Sequence, residues 1–203
     1  MKQLSLSIFF SFITAITFSQ SDSWIKAEVI MKAGSTKNGE VKIQKAGTKE
    51  VVKFRSDENS KGEKIERELI DRIIFTNSEG KTATYVFYKI SKKNLEFLQL
   101  ILEWDVTLLA RDIRVGVGPG FIGAPSAGFS PDFSIKVGEI NEFFAYRKGE
   151  EIATPIKKGG KNFKKLVKEY FNDCTPIVKG IDSGKYHKDN VVEFVKFYNS
   201  GCE

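Results

Sequence analysis

Few side chains in this sequence have the type and spacing to do chemistry. Among 203 residues there is one histidine, His187, and there are two cysteines, Cys174 and Cys202. The segment Ala124-Pro125-Ser126-Ala127-Gly128 has the outline of a nucleophile elbow. Asp132, Asp173 or Asp182 and then His187 follow it in Ser-Asp-His order. An elbow needs a buried strand before its serine and a helix after it. Gly123 and Pro125 on one side and Phe129-Ser130-Pro131 on the other supply neither. Ser126 therefore reads as a loop residue, and His187, within Lys185-Tyr186-His187-Lys188, as a surface residue. Gly116, Gly118 and Gly120 suggest a phosphate cradle, but Pro119 interrupts it and no helix start follows. One histidine and two distant cysteines cannot assemble an ordinary zinc site. Glu66 with Glu68, and Glu150 with Glu151, lack the spacing of a calcium loop. No catalytic, cofactor-binding or metal-binding residue is assigned, and no cofactor is expected. Two carboxylates brought together by neighbouring strands remain open as a device. A carboxylate-based hydrolase acting outside the cytoplasm is thus the alternative to a non-enzymatic binding module.

One charge cluster is dense. Lys157, Lys158, Lys161, Lys164, Lys165 and Lys168 occur with no acid among them. The last four lie on the polar side of an expected helix, opposite Phe163 and Val167. A solvated helix face accounts for such a cluster. The functional reading is attraction to an anionic envelope component, such as lipopolysaccharide or an acidic glycan, or to the acidic face of another envelope protein. Nucleic acid is not expected, because the basic residues are mostly lysine and phosphate recognition favours arginine forks.

The elements that must position these residues fall into two parts. From Trp24 to Arg147 the apolar pattern has period two, with polar glycine-bearing breaks at short intervals. Expected strands are Trp24–Met31, Glu40–Gln44, Glu50–Arg55, Arg72–Thr76, Thr82–Tyr88, Leu95–Glu103, Val106–Asp112, Phe133–Val137 and Glu139–Arg147. The break before the second is Gly34–Gly39. Leu95–Glu103 is apolar on both faces and reads as a central strand, with a short helix as its alternative. Val115–Pro131 has no charge, five glycines and three prolines, and reads as a long mobile loop.

After Arg147 the period changes. Phe163, Leu166, Val167, Tyr170 and Phe171 form one helical face, and Val191, Phe194, Val195 and Tyr198 another. Between them Thr175-Pro176 reads as an N-cap and first helical residue, with Gly180 or Gly184 as the stop. Asn190 with Glu193 resembles a capping box. Cys174 lies eleven residues after Phe163 and Cys202 eleven after Val191, close to three full turns, so each continues a buried helical face. A Cys174–Cys202 disulfide follows, closing a loop worth roughly 3–4 kcal/mol by chain entropy.

Basic residues number 32 and acidic residues 26, a formal charge of +6. Residues 1–19 read as a cleaved secretory signal peptide: Lys2, then an uncharged run from Leu4 to Phe18, with Thr17 and Ser19 before the cut. The run is shorter than a comfortable membrane span of about 20 residues, and a permanent anchor is the alternative. No later stretch is long and apolar enough to cross a membrane. The mature chain is then residues 20–203 with a charge of +5, one domain with a β-rich part over 24–147 and a helical part over 160–202. An exported chain with an even pair of cysteines is placed in the periplasm, at the outer membrane or in the medium.

Several segments resemble uncharacterised secreted proteins of Bacteroidota, of the flavobacterial type. They are Phe18-Ser19-Gln20, the run Phe97–Glu103, the ending Tyr170-Phe171-Asn172-Asp173-Cys174, and Phe197-Tyr198-Asn199-Ser200-Gly201-Cys202. The resemblance implies a Gram-negative envelope setting and brings no activity with it. The expected fold class is α+β: a strongly curved antiparallel β-meander, barrel-like in its extreme form, followed by a small C-terminal helical cap.

Overall fold

The computed structural model describes residues 24–46, 49–111, 142–157 and 162–203. Its strands are β1 (Ile25–Met31), β2 (Thr36–Ala46), β3 (Lys49–Arg55), β4 (Glu63–Ile65), β5 (Ile70–Thr76), β6 (Thr82–Ser91), β7 (Asn94–Leu102), β8 (Val106–Ala110), β9 (Phe143–Arg147) and β10 (Thr154–Lys157). Three helices follow: α1 (Phe163–Tyr170), α2 (Thr175–Ser183) and α3 (Val191–Asn199). All ten strands join one antiparallel sheet in the order β10-β9-β8-β7-β6-β5-β1-β2-β3-β4. The α+β architecture is the expected one. The sheet stays open, with β10 and β4 as its edges, so closure into a barrel is not realised.

Connectivity forces the curvature. The chain finishes β4 at one edge and resumes as β5 beside β1, four strands away in the sheet. At about 4.8 Å per strand, a flat sheet would separate them by roughly 19 Å. The link from Ile65 to Ile70 reaches at most about 18 Å when fully extended, and it contains a 3-10 turn, Arg67–Leu69. The strands β4-β3-β2-β1-β5 must therefore curl. Their inward residues fill the curl: Val29, Val41, Val52, Ile70, Ile73 and Phe75 are fully buried. The corner is tied down by Lys32 N–H to the Leu69 carbonyl at 2.9 Å, and by Arg67 Nη1 to the Leu95 carbonyl at 3.3 Å.

The same sheet face continues under the helices. Gln99 pairs with Tyr85 in the curl and with Ala110 on the other side, and marks the divide between two cores. Beyond it Val106, Leu108, Phe143, Ala145 and Ile156 pack against Val167, Phe171, Ile177, Phe194 and Val195. The helical faces are those the spacing implies. Asn162 caps α1 by accepting from Lys165 N–H at 3.2 Å. Gly184 stops α2 with φ 81°. Gly180 instead lies buried within α2, where a Cβ would fall on the ring of Tyr186.

Some boundaries differ from the expectation. β2 begins at Thr36, because Ile30 to Ile25 pair in register with Thr36 to Val41 and draw a polar stretch into the ladder. β4 and β10 were not expected; at three and four residues they are too short to show a period, and Pro155 sits in an edge strand, where a missing donor is tolerated. The segment expected over Leu95–Glu103 forms a strand, Asn94–Leu102, and not a helix. Cys174, rather than Thr175, is the N-cap of α2, with Thr175 its first residue. Asn190 caps α3 without a side-chain bond into the helix; its Oδ1 accepts from His187 N–H at 2.7 Å instead. The expected strand Phe133–Val137 and the expected loop Val115–Pro131 lie outside the described residues.

Candidate functional site

Cys174 and Cys202 form a disulfide with Cα atoms 5.9 Å apart. Cys174 is buried at the start of α2, and Cys202 follows the end of α3. The bridge thus fixes both ends of the α2–α3 hairpin at one point.

The expected lysine patch is brought together only in part. Lys157 is not on the helix. It closes β10, is 7% exposed, and lies over the Phe143 ring at 5.5 Å. Burial pushes its ammonium below the ordinary lysine range. Lys158 and Lys161 lie outside the described residues. Lys164, Lys165 and Lys168 do lie on the polar side of α1. With Asn162, Glu169, Asn172 and Asp182 they line an open depression of about 580 Å³. Lys168 reaches Asp182 at 2.8 Å and Lys165 reaches Glu169 at 3.7 Å, while Lys164 stays exposed.

The arginines are used differently. Arg55 pairs with Glu40 at 2.6 Å. Arg67 contacts Glu50 at 3.5 Å and Glu68 at 3.1 Å. Arg72 holds Glu103 through two bonds of 2.7 and 2.8 Å and Asp71 at 2.8 Å. Arg111 holds Glu96 at 2.8 Å and contacts Glu142. Three of these guanidinium groups therefore each sit between two carboxylates. A general acid needs a carboxyl whose proton is held at neutral pH, and an adjacent cation opposes that. The acid pairs that the sheet assembles are built as clamps.

Arg147 is the centre of the densest polar cluster. Its guanidinium lies over the rings of Tyr170 at 4.7 Å and Tyr198 at 5.5 Å, and bonds the Tyr170 carbonyl at 3.0 Å. It also bonds both Asp173 oxygens, at 3.1 and 3.0 Å, and Asp173 accepts from the Tyr198 hydroxyl at 2.6 Å. The Tyr170 hydroxyl donates to Glu150 at 3.1 Å. Burial raises the pKa of both phenols, which makes them poor nucleophiles or bases. The cluster fastens the helices to the β9–β10 hairpin.

The Ser-Asp-His outline, which its sequence context argues against, is not assembled by the described residues. Ser126 and Asp132 lie outside them, as do Gly116, Gly118 and Gly120. Asp173 is committed to Arg147 and Asp182 to Lys168. His187 is exposed, and its Nδ1 accepts from Asp189 N–H at 3.4 Å. Among the described residues no group of three His, Cys, Asp or Glu side chains is placed to hold a metal ion, and no helix is long and apolar enough to cross a membrane. Sequence reasoning missed the arginine clamps, because they join residues brought together by strand register. Comparison with protein-family models, with curated proteins and with solved structures finds no match to this chain.

Proposed function

We propose that the chain is a non-catalytic binding module that works outside the cytoplasm and engages an anionic partner. The observation that carries this reading is the division of labour between the two cations. The described arginines are spent on carboxylates within the fold. The lysines of α1 line an open depression, where Lys165 and Lys168 meet only solvent-exposed carboxylates, Glu169 and Asp182, and Lys164 stays exposed. A shallow, polar, basic surface suits attraction and docking, whereas a hydrolase needs a water-excluding cleft and a carboxyl free to carry a proton. The Cys174–Cys202 bridge supports a site of action in an oxidising compartment. The leader-like N-terminus and the resemblance to secreted Bacteroidota proteins support the same setting.

The test is binding of the mature chain to isolated envelope fragments, beside a variant carrying Lys164→Gln, Lys165→Gln and Lys168→Gln. The variant should fold with an unchanged helical signal and bind on the order of a hundredfold more weakly, at about 1 kcal/mol per lysine near an anionic surface. Equal binding by both proteins would remove the α1 depression from the account.

A further inference from the structure

Trp104 stands in the turn between β7 and β8 and is 65% exposed. Among the described residues no aromatic ring or cation lies against its indole, and the indole N–H has no acceptor. The turn beneath it is held at every position. Glu103 is gripped by Arg72 of β5 through bonds of 2.7 and 2.8 Å. The Trp104 carbonyl accepts from the Thr107 hydroxyl at 3.2 Å. The Asp105 carbonyl accepts from Lys148 N–H, on the β9–β10 turn, at 3.3 Å. Val106 is held by Asn199 at the end of α3 through two bonds of 2.9 Å. A ring presented on so fixed a backbone loses little further freedom when a ligand covers it.

Exposure alone would mean little. Leu69, at the β4–β5 corner, is 56% exposed, and single exposed apolar residues are ordinary. Trp104 differs in its surroundings. The Asp105 carboxylate and the Lys148 ammonium belong to the turns on either side of that backbone bond. Both residues are exposed, and neither makes an ion pair among the described residues. The ring is therefore an open apolar plate with uncommitted groups of both signs beside it. This setting selects the occupant. Anionic headgroups and nucleic acid would meet Glu103 and Asp105 next to the ring. A protein interface takes on the order of 800 Å² from each partner, far more than one side chain offers. A cation suits the ring and Asp105, but meets Lys148. A pyranose ring fits, because its C–H face is apolar and its rim hydroxyls both donate and accept.

We propose that Trp104 is the stacking platform for an uncharged pyranose unit of a glycan, with Asp105 accepting from its hydroxyls and Lys148 donating to them. This goes beyond the anionic contact on α1, and the two sites stand or fall separately.

The test is titration of the mature chain with neutral oligosaccharides of glucose, mannose, galactose, xylose and N-acetylglucosamine, followed by calorimetry and by tryptophan emission. Oligolysine and anionic phospholipid vesicles are the competing partners. At least one oligosaccharide should bind saturably and shift the emission to shorter wavelength. The other tryptophan, Trp24, is already covered by the Arg55 guanidinium at 4.6 Å, so the shift reports on Trp104. Trp104→Ala removes a ring that lies mostly in solvent. It should keep the denaturant midpoint and weaken oligosaccharide binding by about tenfold or more. Trp104→Tyr should restore part of that binding. The variant carrying Lys164→Gln, Lys165→Gln and Lys168→Gln should bind the oligosaccharide as the wild type does. An emission shift produced only by vesicles or only by oligolysine would overturn the proposal. So would the absence of binding to every oligosaccharide, or undiminished binding by Trp104→Ala. None of these results bears on the α1 depression, which its own lysine variant tests against envelope fragments.

Discussion

Asn199 and Val106 are 93 residues apart and meet as two strands would: Val106 N–H donates to Asn199 Oδ1, and Asn199 Nδ2 donates to the Val106 carbonyl, both at 2.9 Å. Val106 pairs through its ladder with Arg147 on β9, while β7 reaches β8 only from Leu108 onward. The amide of Asn199 thus takes the place of a missing strand neighbour and joins the end of α3 to the sheet. Asn199→Ala would leave a donor and an acceptor of fully buried Val106 unpaired. The expected loss is about 1–3 kcal/mol. Asn199→Asp keeps the acceptor but sets a carboxylate oxygen against the Val106 carbonyl at the C-terminal end of α3, and should lose no less. Denaturant midpoints of the three proteins check this, and an Asn199→Ala midpoint equal to the wild type would mean that the contact contributes nothing.

The disulfide closes the α2–α3 hairpin at its base. Replacing both cysteines by serine is expected to cost roughly 3–4 kcal/mol. The loss should be local. In hydrogen exchange, amides of 175–199 should open before those of β5, β6 and β7, which sit in the centre of the sheet. Simultaneous exchange of helices and central strands would show that the cap and the sheet unfold as one unit.

How much of this was legible in the sequence follows from the range of each interaction. The helical faces of Phe163 to Phe171 and Val191 to Tyr198 were readable because a helix writes its burial pattern locally, and the cysteines were readable because they continue those faces. The strands with clear alternation were found, whereas Glu63–Ile65 and Thr154–Lys157 are held by their partners rather than by their own pattern. The candidate site was less legible. Lys157 looks like its neighbours in sequence, yet it ends a strand and is buried over Phe143.

Gly180 gives a test of packing in which two effects have opposite signs. Gly→Ala within a helix ordinarily gains up to about 1 kcal/mol. Here the added methyl would fall on the Tyr186 ring, which is itself buried, and overpacking costs about 1–3 kcal/mol. Gly180→Ala should therefore destabilise. Its effect should turn favourable, or nearly vanish, when measured in a Tyr186→Ala background. The same loss in both backgrounds would show that Tyr186 is not the obstacle.

Burial raises the pKa of Tyr88 to about 12 and raises those of Tyr146, Tyr170 and Tyr198 as well. An unfolded chain ionises its tyrosines near pH ~10. Above that pH the unfolded state has released protons that the native state keeps, so stability must fall as pH rises. The full contribution of these groups is present below pH ~10. Lys157 runs the other way, because the native state sheds its proton first and regains stability with rising pH just below the ordinary lysine value. Four tyrosines outweigh one lysine, so the denaturant midpoint should drop between pH ~9.5 and ~11.5. Tyr88→Phe should flatten that drop, and a midpoint that rises over the interval would contradict the assignment.

Charge attraction by an exposed basic surface is the core of the functional account, and salt reports on it directly. The measurement is the fraction of mature chain that sediments with isolated envelope fragments as ionic strength increases. Screening shortens the reach of surface charges from about 10 Å at 0.1 M salt to about 3 Å at 1 M. The account predicts strong retention at low salt that falls steeply and reversibly over this range, with the envelope material chemically unchanged on release. Retention that is indifferent to salt, or release of hydrolysed envelope fragments by the protein, would contradict it.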